Sequence, residues 1–412
     1  MGAAAHRLAP AVNAFDRALA DRLDVLQAQG LRRELRRVDS APGPRVTLNG
    51  RTLLNFASND YLGLAAHPAL KEAAIRATEK FGAGSGASRL ICGSLAPHHE
   101  LEERLAAFKG TEAALSFSSG YATAIGAICA LLGKGDVIIL DKLVHACIVD
   151  AAKLSGATLR VFKHNDLNRL EELLRWSTDS ARTTHHAPRN TLVATESVFS
   201  MDGDQAPLRA LVELKERFGA WLMVDEAHAT GLYGPRRAGL ADELGLSNRI
   251  EMQMGTLGKA LGAAGGYIAG SRVLVDFLVN RARSFIFSTA PVPAQAGAAQ
   301  AAIALVQSPG GAQICARLWE RVAQARVALA SPTAPSAILP VILGDESVAL
   351  AAAAELRERG LFVPAIRYPT VARGQARLRI TLSAAHSAED VTTLSNAVTA
   401  LRNTQDEPRS PG

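Results

Sequence analysis

Two segments of this chain carry an amine and a carboxylate in settings that favour one kind of chemistry. Lys259 lies in the glycine-rich segment MGTLGKALG at residues 254–262, and Asp225 closes the apolar run WLMV at residues 221–224. A lysine amine can form a Schiff base with an aldehyde, and a carboxylate at the end of a buried strand can keep a pyridine nitrogen protonated. Pyridoxal phosphate (PLP) needs both groups, so the pair predicts a PLP site.

Further polar residues follow other segments that we predict as strands. Short apolar segments alternate with helical patterns between residues 113 and 269, which indicates a mostly parallel sheet covered on both faces. Ligands of such sheets bind beyond the carboxyl ends of the strands. The polar residues expected at this edge are Ser119, Gly120, Tyr121, Asp141, His145, Glu196, Ser200, Asp225, His228, Thr256 and Lys259.

The sheet is predicted to be the centre of a large α/β domain. Its predicted strands cover residues 113–117, 137–140, 158–162, 191–195, 221–224, 251–254 and 267–269. Before them we predict helices at 13–38, 68–81 and 98–109 and strands at 45–48 and 52–57. After residue 290 we predict a long helical stretch to 329, helices at 346–359 and 387–402, and strands at 338–343, 361–363 and 378–382.

These elements divide the chain into four predicted parts. Residues 1–50 are an N-terminal helical segment, and residues 51–290 are the large α/β domain. Residues 291–402 are a smaller α+β domain, and residues 403–412 are a disordered tail. The polar, proline-containing insert at 178–190 is predicted to be a loop.

Each motif also has a simpler interpretation. The residues Ser119, Gly120 and Tyr121 suit a phosphate site at a helix N-terminus, or an ordinary helix cap. His145 taken alone could be a structural histidine. The DEAH segment at 225–228 resembles a helicase box, but no G-x-x-x-x-G-K-[ST] motif precedes it. The segment GAGSG at 82–86 follows a predicted helix rather than a strand and has the spacing G-x-G-x-G, which argues against a dinucleotide-binding loop.

Composition limits the partners and the compartment. The chain has 412 residues, 48% of them hydrophobic, with a formal net charge of +6. This charge favours acidic ligands such as phosphates, coenzyme A or an acidic carrier protein, unless it is only a surface bias. The basic residues are scattered and no apolar segment suits a membrane span, so we predict neither nucleic acid nor membrane as a partner. The four cysteines form no C-x-x-C motif, which predicts no disulfide, no metal site and a cytoplasmic location.

The ordered set of motifs resembles the α-oxoamine synthases, which are PLP-dependent enzymes of fold type I. The resemblance covers about residues 20–402. It implies an aspartate aminotransferase-like fold, with a large, mostly parallel sheet domain and a smaller α+β C-terminal domain. The matching segments are NFASNDYLGL at 55–64, GSGASR at 84–89, TESVFSMDGD at 195–204, DEAHATG at 225–231, GTLGK at 255–259, FST at 287–289, AIRYPTV at 365–371 and RLRITLSAAH at 377–386.

The resemblance also implies a role for each matching residue. Lys259 would hold the cofactor, Asp225 would pair with its ring nitrogen, and His145 would stack on its ring and touch the acyl carbonyl. The other cofactor-binding residues implied are Ser119, Gly120, Tyr121 and Thr256 at the phosphate, Ser200 and His228 at the ring hydroxyl, and Glu196. Ser288 and Thr289 would reach the phosphate of a neighbouring subunit, which implies a homodimer with shared sites. Arg32, Asn59, Arg367 and Thr370 match substrate-contacting positions, and Arg367 is expected to hold the α-carboxylate of the amino acid.

The implied reaction is a decarboxylative condensation of an amino acid with an acyl thioester. The segments 365–371 and 381–383 favour the branch of biotin biosynthesis, which joins L-alanine to pimeloyl-[acyl-carrier protein] or pimeloyl-CoA. The segment SRLICG at 88–93 also resembles glycine C-acetyltransferase, which remains an alternative. 5-Aminolevulinate synthase and serine palmitoyltransferase share the same groups, and a PLP-binding protein without catalysis is the alternative of another class.

The sequence departs from the family pattern at a few positions. Cys147 stands where a serine is common, and Tyr368 and Arg373 replace prolines around Arg367. Ala57 is a smaller variation. None of these changes removes a group that the reaction needs, but the changes at Tyr368 and Arg373 affect the predicted substrate loop.

Overall fold

The computed structural model of the chain describes residues 13–178, 190–331 and 336–406. The N-terminal residues 1–12, most of the predicted insert at 178–190 and the end of the predicted tail lie outside these ranges. No helix in the described ranges is long and apolar enough to cross a membrane.

The N-terminal part begins with a helix that is shorter than predicted. Its elements are α1 (Ala14–Ala28), β1 (Arg45–Leu48), β2 (Arg51–Asn55), α2 (Pro68–Phe81) and α3 (Ala96–Lys109). The prediction of one helix to residue 38 was wrong, because the chain turns at Gly30 with a φ of +65° and has no helical structure from residue 31 to 37. Glycine tolerates this left-handed conformation, which commonly ends a helix.

The central sheet has seven strands, as the alternating pattern predicted. The strands are β3 (Ala113–Phe117), β4 (Val137–Asp141), β5 (Thr158–Phe162), β6 (Thr191–Glu196), β7 (Trp221–Asp225), β8 (Met252–Thr256) and β9 (Gly266–Gly270). Their order is β3-β9-β8-β7-β6-β4-β5. Only β9 runs antiparallel to its neighbours, so the prediction of a mostly parallel sheet is confirmed.

Helices cover both faces of this sheet. They are α4 (Gly120–Leu131), α5 (Ala146–Ser155), α6 (Leu167–Thr178), α7 (Leu208–Phe218), α8 (Leu240–Glu243), α9 (Arg272–Arg281) and α10 (Arg283–Ile286). Strand β4 is buried throughout, and its alternate side chains enter two different cores. Val137 and Ile139 pack in one core, while Ile138 and Leu140 pack in the other. This is why the strand is apolar at every position rather than at every second one.

The C-terminal part combines helices with short strands. Its elements are α11 (Pro293–Gln307), α12 (Pro309–Ala328), β10 (Ile338–Gly344), α13 (Glu346–Glu358), β11 (Leu361–Phe362), β12 (Ala365–Ile366), β13 (Ala376–Thr381) and α14 (Ala388–Asp406). The predicted single helical stretch to 329 divides at Ser308, whose side chain caps α12 just before Pro309. Helix α14 continues to Asp406, so residues 403–406 belong to a helix and not to the predicted disordered tail.

The two ends of the chain meet in the smaller sheets. Strand β2 pairs with β1 and, in parallel, with β11, while β13 lies between β10 and β12. The first strands of the chain therefore pack with its last third. The predicted domain limits at residues 50 and 290 remain a prediction.

Candidate active site

Lys259 lies in a tight loop directly after β8. Gly262 has a φ of +61°, and a Cβ there would lie 2.5 Å from the backbone nitrogen of Ala65, so the loop can close only around a glycine. The Nζ atom of Lys259 lies 2.8 Å from Nε2 of His228. Burial lowers the pKa of the Lys259 amine, and the nearby carboxylates of Asp225 and Glu196 offset this only in part. A lowered pKa favours the neutral amine, which is the nucleophilic and basic form.

His228 connects this amine to a buried tyrosine. Its Nδ1 lies 2.5 Å from the hydroxyl of Tyr61, and that hydroxyl donates to Oδ1 of Asn59 at 3.3 Å. Burial, followed by the charge of Lys259, lowers the pKa of His228 well below its ordinary value, so the ring is neutral. Burial raises the pKa of Tyr61 to about 12, so its hydroxyl stays protonated. A continuous set of hydrogen bonds therefore runs from Lys259 to Asn59.

Asp225 and Glu196 end two neighbouring parallel strands in register. Asp225 is the last residue of β7 and lies opposite Glu196, the last residue of β6. Asp225 accepts a hydrogen bond from the Ala227 N–H at 2.9 Å, and Glu196 accepts one from the Ser200 N–H at 3.1 Å. Burial raises the pKa of both carboxyls, and the charge of Asp225 helps to bring that of Glu196 to about 8. Two buried carboxyls side by side form a site that would gain from a cationic ligand.

His145 caps the start of α5 and leaves its ring exposed. Its Nδ1 accepts the N–H of Cys147 at 3.2 Å, and the Cys147 sulfur lies 3.0 Å away. Because the covered part of the ring is poorly hydrated, the pKa of His145 is lowered and the ring is neutral, and an accepting Nδ1 assigns its proton to Nε2. The exposed edge of this ring is therefore a hydrogen-bond donor.

The N-terminus of α4 forms the candidate phosphate site. Ser119 caps the helix, and its side chain and carbonyl accept the N–H groups of Ala122 and Thr123. Within the described ranges no acceptor is assigned to the N–H groups of Gly120 and Tyr121, as is usual for the first turn of a helix. The side chain of Thr256 lies beside Gly120, where a Cβ on that glycine would come 3.9 Å from the Cβ of Thr256.

Arg379 belongs to the site although the sequence analysis gave it no role. It lies on β13 and is 4% exposed. Its guanidinium donates to the carbonyl of Ser200 at 2.7 Å, to Asn59 Oδ1 at 3.1 Å and to Thr381 Oγ1 at 2.9 Å. Its Nη2 is buried and has no hydrogen-bond partner among the described residues. The alternation of Arg377 and Arg379 within an otherwise apolar segment was the signal that could have identified it.

The other predicted site residues fall into separate groups. Ser200 and Asn59 join the Lys259 group through Arg379. Arg367 is partly exposed and donates to the carbonyl of Arg32 at 3.1 Å, with Thr370 in the following turn. In the described part of the chain, no hydrogen bond joins this arginine pair to the Lys259 group.

Among the described residues, no hydrogen bond joins Ser288 or Thr289 to Lys259. Thr289 forms a backbone bridge with Ser88 and is exposed. Tyr121 is half-exposed, and its hydroxyl donates to Asp150 at 2.8 Å. The described ranges contain no group of three or more His, Cys, Asp or Glu side chains arranged to hold a metal ion.

Comparisons with known proteins show the family and the fold of the chain. The family model of aminotransferase class I and II matches residues 51–398. An 8-amino-7-oxononanoate synthase of Anaeromyxobacter dehalogenans is 52% identical over 374 residues, which are 90% of this chain and 91% of that protein. A solved serine palmitoyltransferase from S. paucimobilis, with PLP and myriocin bound, has a TM-score of 0.86 and 29% identity, covering 95% of this chain and 98% of that one. A solved 8-amino-7-oxononanoate synthase from Francisella tularensis has a TM-score of 0.70 and 26% identity, covering 86% and 99%.

Proposed function

The chain belongs to the 8-amino-7-oxononanoate synthase family, within the class I and II aminotransferases, and on this premise we propose that it joins L-alanine to a pimeloyl thioester. A bond forms between the α-carbon of alanine and the thioester carbonyl carbon, the thiol leaves, and the carboxylate of alanine departs as carbon dioxide. The product is 8-amino-7-oxononanoate, for biotin biosynthesis. The observation that carries the proposal is the group of Lys259, His228 and Asp225 in a chain so similar to a named synthase.

The residues around Lys259 fit PLP as the cofactor. Asp225 offers a buried carboxyl beside which a protonated ring nitrogen would be stabilised. The first N–H groups of α4, with Thr256, suit a phosphate. Glu196 Oε1 and Arg379 Nη2 are buried polar atoms without a hydrogen-bond partner in the described ranges. A polar ligand bound here would supply the missing hydrogen bonds. PLP, when bound, supplies an electron sink that lets the α-carbon of the amino acid lose a proton.

The chain's own residues then have distinct tasks. Lys259 moves the proton of the α-carbon, for which its lowered pKa suits it. Asp225 would keep a proton on the ring nitrogen, and His228 and Ser200 would hold the ring hydroxyl. His145 donates from Nε2 to the thioester carbonyl oxygen as negative charge develops there.

We assign the α-carboxylate of alanine to Arg379 rather than to Arg367. Arg379 is buried, adjoins Asn59 and has a free N–H group, whereas Arg367 is partly exposed beside Arg32. A buried guanidinium with an unsatisfied N–H gains most from a carboxylate, because its hydrogen-bonding capacity is otherwise lost. Arg32, Asn59 and Thr370 stay proposed as substrate contacts, and for Arg367, which lies beside Arg32, we propose a contact with the acyl thioester instead of the α-carboxylate.

The thioester can be carried by acyl-carrier protein or by coenzyme A. The formal net charge of +6 suits either, because both are anionic. We place the reaction in the cytoplasm, where the four cysteines, all free in this structure, would stay reduced.

We also propose a homodimer in which Ser288 and Thr289 complete the phosphate site of the neighbouring subunit. The exposed position of Thr289, on a segment that bridges to Ser88, supports this. Mixing Lys259→Ala chains with Thr289→Ala chains should then form heterodimers with one site carrying both defects and one intact site. Activity above that of either parent would support sharing, and none from chains shown to exchange would contradict it.

The proposed reaction is tested by one panel of substrates. Alanine, glycine and serine are each combined with pimeloyl, acetyl, succinyl and palmitoyl thioesters, with Lys259→Ala as the inactive control. We expect the highest kcat/KM for alanine with the pimeloyl thioester. A higher value for glycine with the acetyl thioester would replace this proposal with glycine C-acetyltransferase. The highest value for serine with the palmitoyl thioester would replace it with the activity of serine palmitoyltransferase, whose fold is similar.

A further inference from the structure

His164 lies outside the site described above and is held at both ends by carboxylates. Its Nδ1 lies 3.0 Å from Oδ1 of Asp141, and its Nε2 lies 2.7 Å from Oδ2 of Asp204. An ionised carboxylate can only accept, so both ring nitrogens must donate and the ring must carry a positive charge. Burial alone would lower the pKa of His164, but the two carboxylates outweigh it and raise the pKa to about 10.

The first carboxylate fixes the loop that leads to His145. Asp141 is the last residue of β4 and is 1% exposed. Its Oδ1 also accepts the N–H of Leu143 at 2.8 Å, and its Oδ2 accepts the N–H of Asn165 at 2.9 Å. The side chain therefore holds the start of the loop that ends at His145, the cap of α5.

The second carboxylate, that of Asp204, belongs to the turn that contains Ser200. The carbonyl of Asp204 accepts the N–H of Phe199 at 2.9 Å, which closes the turn from 199 to 204. The His164 ring packs edge-on against Phe199, with 4.3 Å between ring centroids. Inside this turn, the carbonyl of Ser200 accepts the hydrogen bond from Arg379. His164 thus contacts the turn twice, through its ring at Phe199 and through Nε2 at the carboxylate of Asp204.

Among the described residues, no strand pairing joins the two loops beyond the ends of β4 and β6. The pairing of β4 with β6 ends at Leu140 and Ala194, before either loop begins. Beyond that point, His164 and its neighbour Asn165 both bridge the end of β4 and the turn after β6. Asn165 donates from its backbone to Asp141 and from its side chain to Asp204 at 3.3 Å and to the carbonyl of Gln205 at 3.2 Å, so His164 supplies the charged part of this bridge. Without its charge, the carboxylates of Asp141 and Asp204 would lack their shared cation.

We propose that His164 is a positioning residue: a cationic link between Asp141 and Asp204 that holds the His145 loop and the Ser200 turn in their mutual arrangement at the active site. The expected effect on turnover rests on the proposed function, whereas the link itself does not. A displacement of about 1 Å at a reacting group can lower a rate roughly 100-fold, so loss of the link should act mainly on turnover.

The first test measures the charge directly in the protein without cofactor. Nitrogen-15 spectra of the histidine rings at pH 8 should show both His164 nitrogens protonated, with His164→Asn used to assign the signal. His386 is the internal control, because its two ring nitrogens face a backbone N–H and a backbone carbonyl, and burial lowers its pKa. A neutral His164 ring at pH 8 would overturn the proposal.

The second test separates positioning from simple stability. His164→Asn should lower kcat roughly 10- to 100-fold and shift the visible absorption of the PLP-loaded protein. Asp204→Asn keeps an acceptor oxygen for Nε2 and should lose less than Asp204→Ala, which supplies a second series if His164→Asn folds poorly. A lower thermal midpoint with unchanged kcat and absorption in the folded protein would show a merely structural role. The absorption and the nitrogen spectra need no acyl substrate, so they remain informative even if the proposed reaction is wrong.

Discussion

Two lysines lie near adjacent carboxylates of the same DEAH segment: Lys109 is fully buried and Lys259 is half-buried, and they also differ in the partners of their amines. Lys109 is fully buried, and its amine donates to the Glu226 carboxylate and to the carbonyl of Ala238 at 2.5 Å. The other oxygen of Glu226 accepts the N–H of Ala241. Lys259, in contrast, has a hydrogen bond to the neutral ring of His228 and none to a carboxylate in the described ranges.

The two pKa values move in opposite directions for this reason. Burial lowers the pKa of both amines, but the direct contact with Glu226 reverses the effect at Lys109 and leaves its pKa raised. At Lys259 burial prevails, because Asp225 and Glu196 act only at a distance. An amine that is bonded directly to a carboxylate forms a structural ion pair. An amine that is bonded only to a neutral ring keeps a lowered pKa and can react. The residue types alone do not distinguish the two.

The largest expected effect is the loss of turnover when Lys259 is replaced. Lys259→Ala should abolish turnover, because no other described amine adjoins Asp225, while the free energy of unfolding stays the same or rises. The measurement is the steady-state rate with alanine and pimeloyl thioester, beside denaturant unfolding of the same protein. Residual activity near that of the unmodified protein would remove Lys259 from the chemistry.

Asp225 should follow closely in the size of its effect on activity. Asp225→Asn keeps the shape of the side chain but cannot keep a ring nitrogen protonated, so most activity should be lost while some PLP still binds. A loss of about 3–5 kcal/mol in transition-state stabilisation corresponds to roughly 100- to 5,000-fold in kcat/KM. Near-normal turnover of this variant would show that the carboxylate is not the ring partner.

Lys109 should show the reverse behaviour, a loss of stability. Lys109→Met leaves Glu226 buried without its cation, which should cost about 3–5 kcal/mol in the free energy of unfolding. Denaturant unfolding measures this, with Lys259→Met as the matched control that should cost far less. The double variant Lys109→Met with Glu226→Gln should recover part of the loss, since no unpaired charge remains. An equal loss in both single variants would erase the distinction between the two lysines.

The smallest expected effect compares a buried with an exposed arginine. Arg379→Lys should raise the KM for alanine roughly 10-fold or more, because a hydrogen bond to a charged group contributes about 1.5–3 kcal/mol and lysine lacks the planar fork. Arg367→Lys should change this KM less. The opposite ranking would return the α-carboxylate to Arg367, as the sequence motif alone suggested.

The sequence predicted the site residues that lie within two short motifs, DEAH at 225–228 and GTLGK at 255–259. Asp225, His228 and Lys259 stand at strand ends, and strand ends are readable from apolar segments and glycines. Tyr61 received no role, because it meets His228 across 167 residues of chain. Arg379 was missed for a similar reason: its partner Asn59 is 320 residues away, and a charged side chain on a strand normally predicts exposure. The end of α1 was missed because the pattern of apolar and charged residues continues past Gly30.

The central claim is that the amine of Lys259, and not that of Lys109, is the reactive one. Borohydride reduction of the PLP-loaded protein, followed by proteolysis and mass spectrometry, fixes the cofactor on the lysine that holds it. The chain has nine lysines that could carry the cofactor. We expect the label on the peptide that contains Lys259 and on no other. A label on Lys109 or on any other lysine, with Lys259 unmodified, would contradict the account.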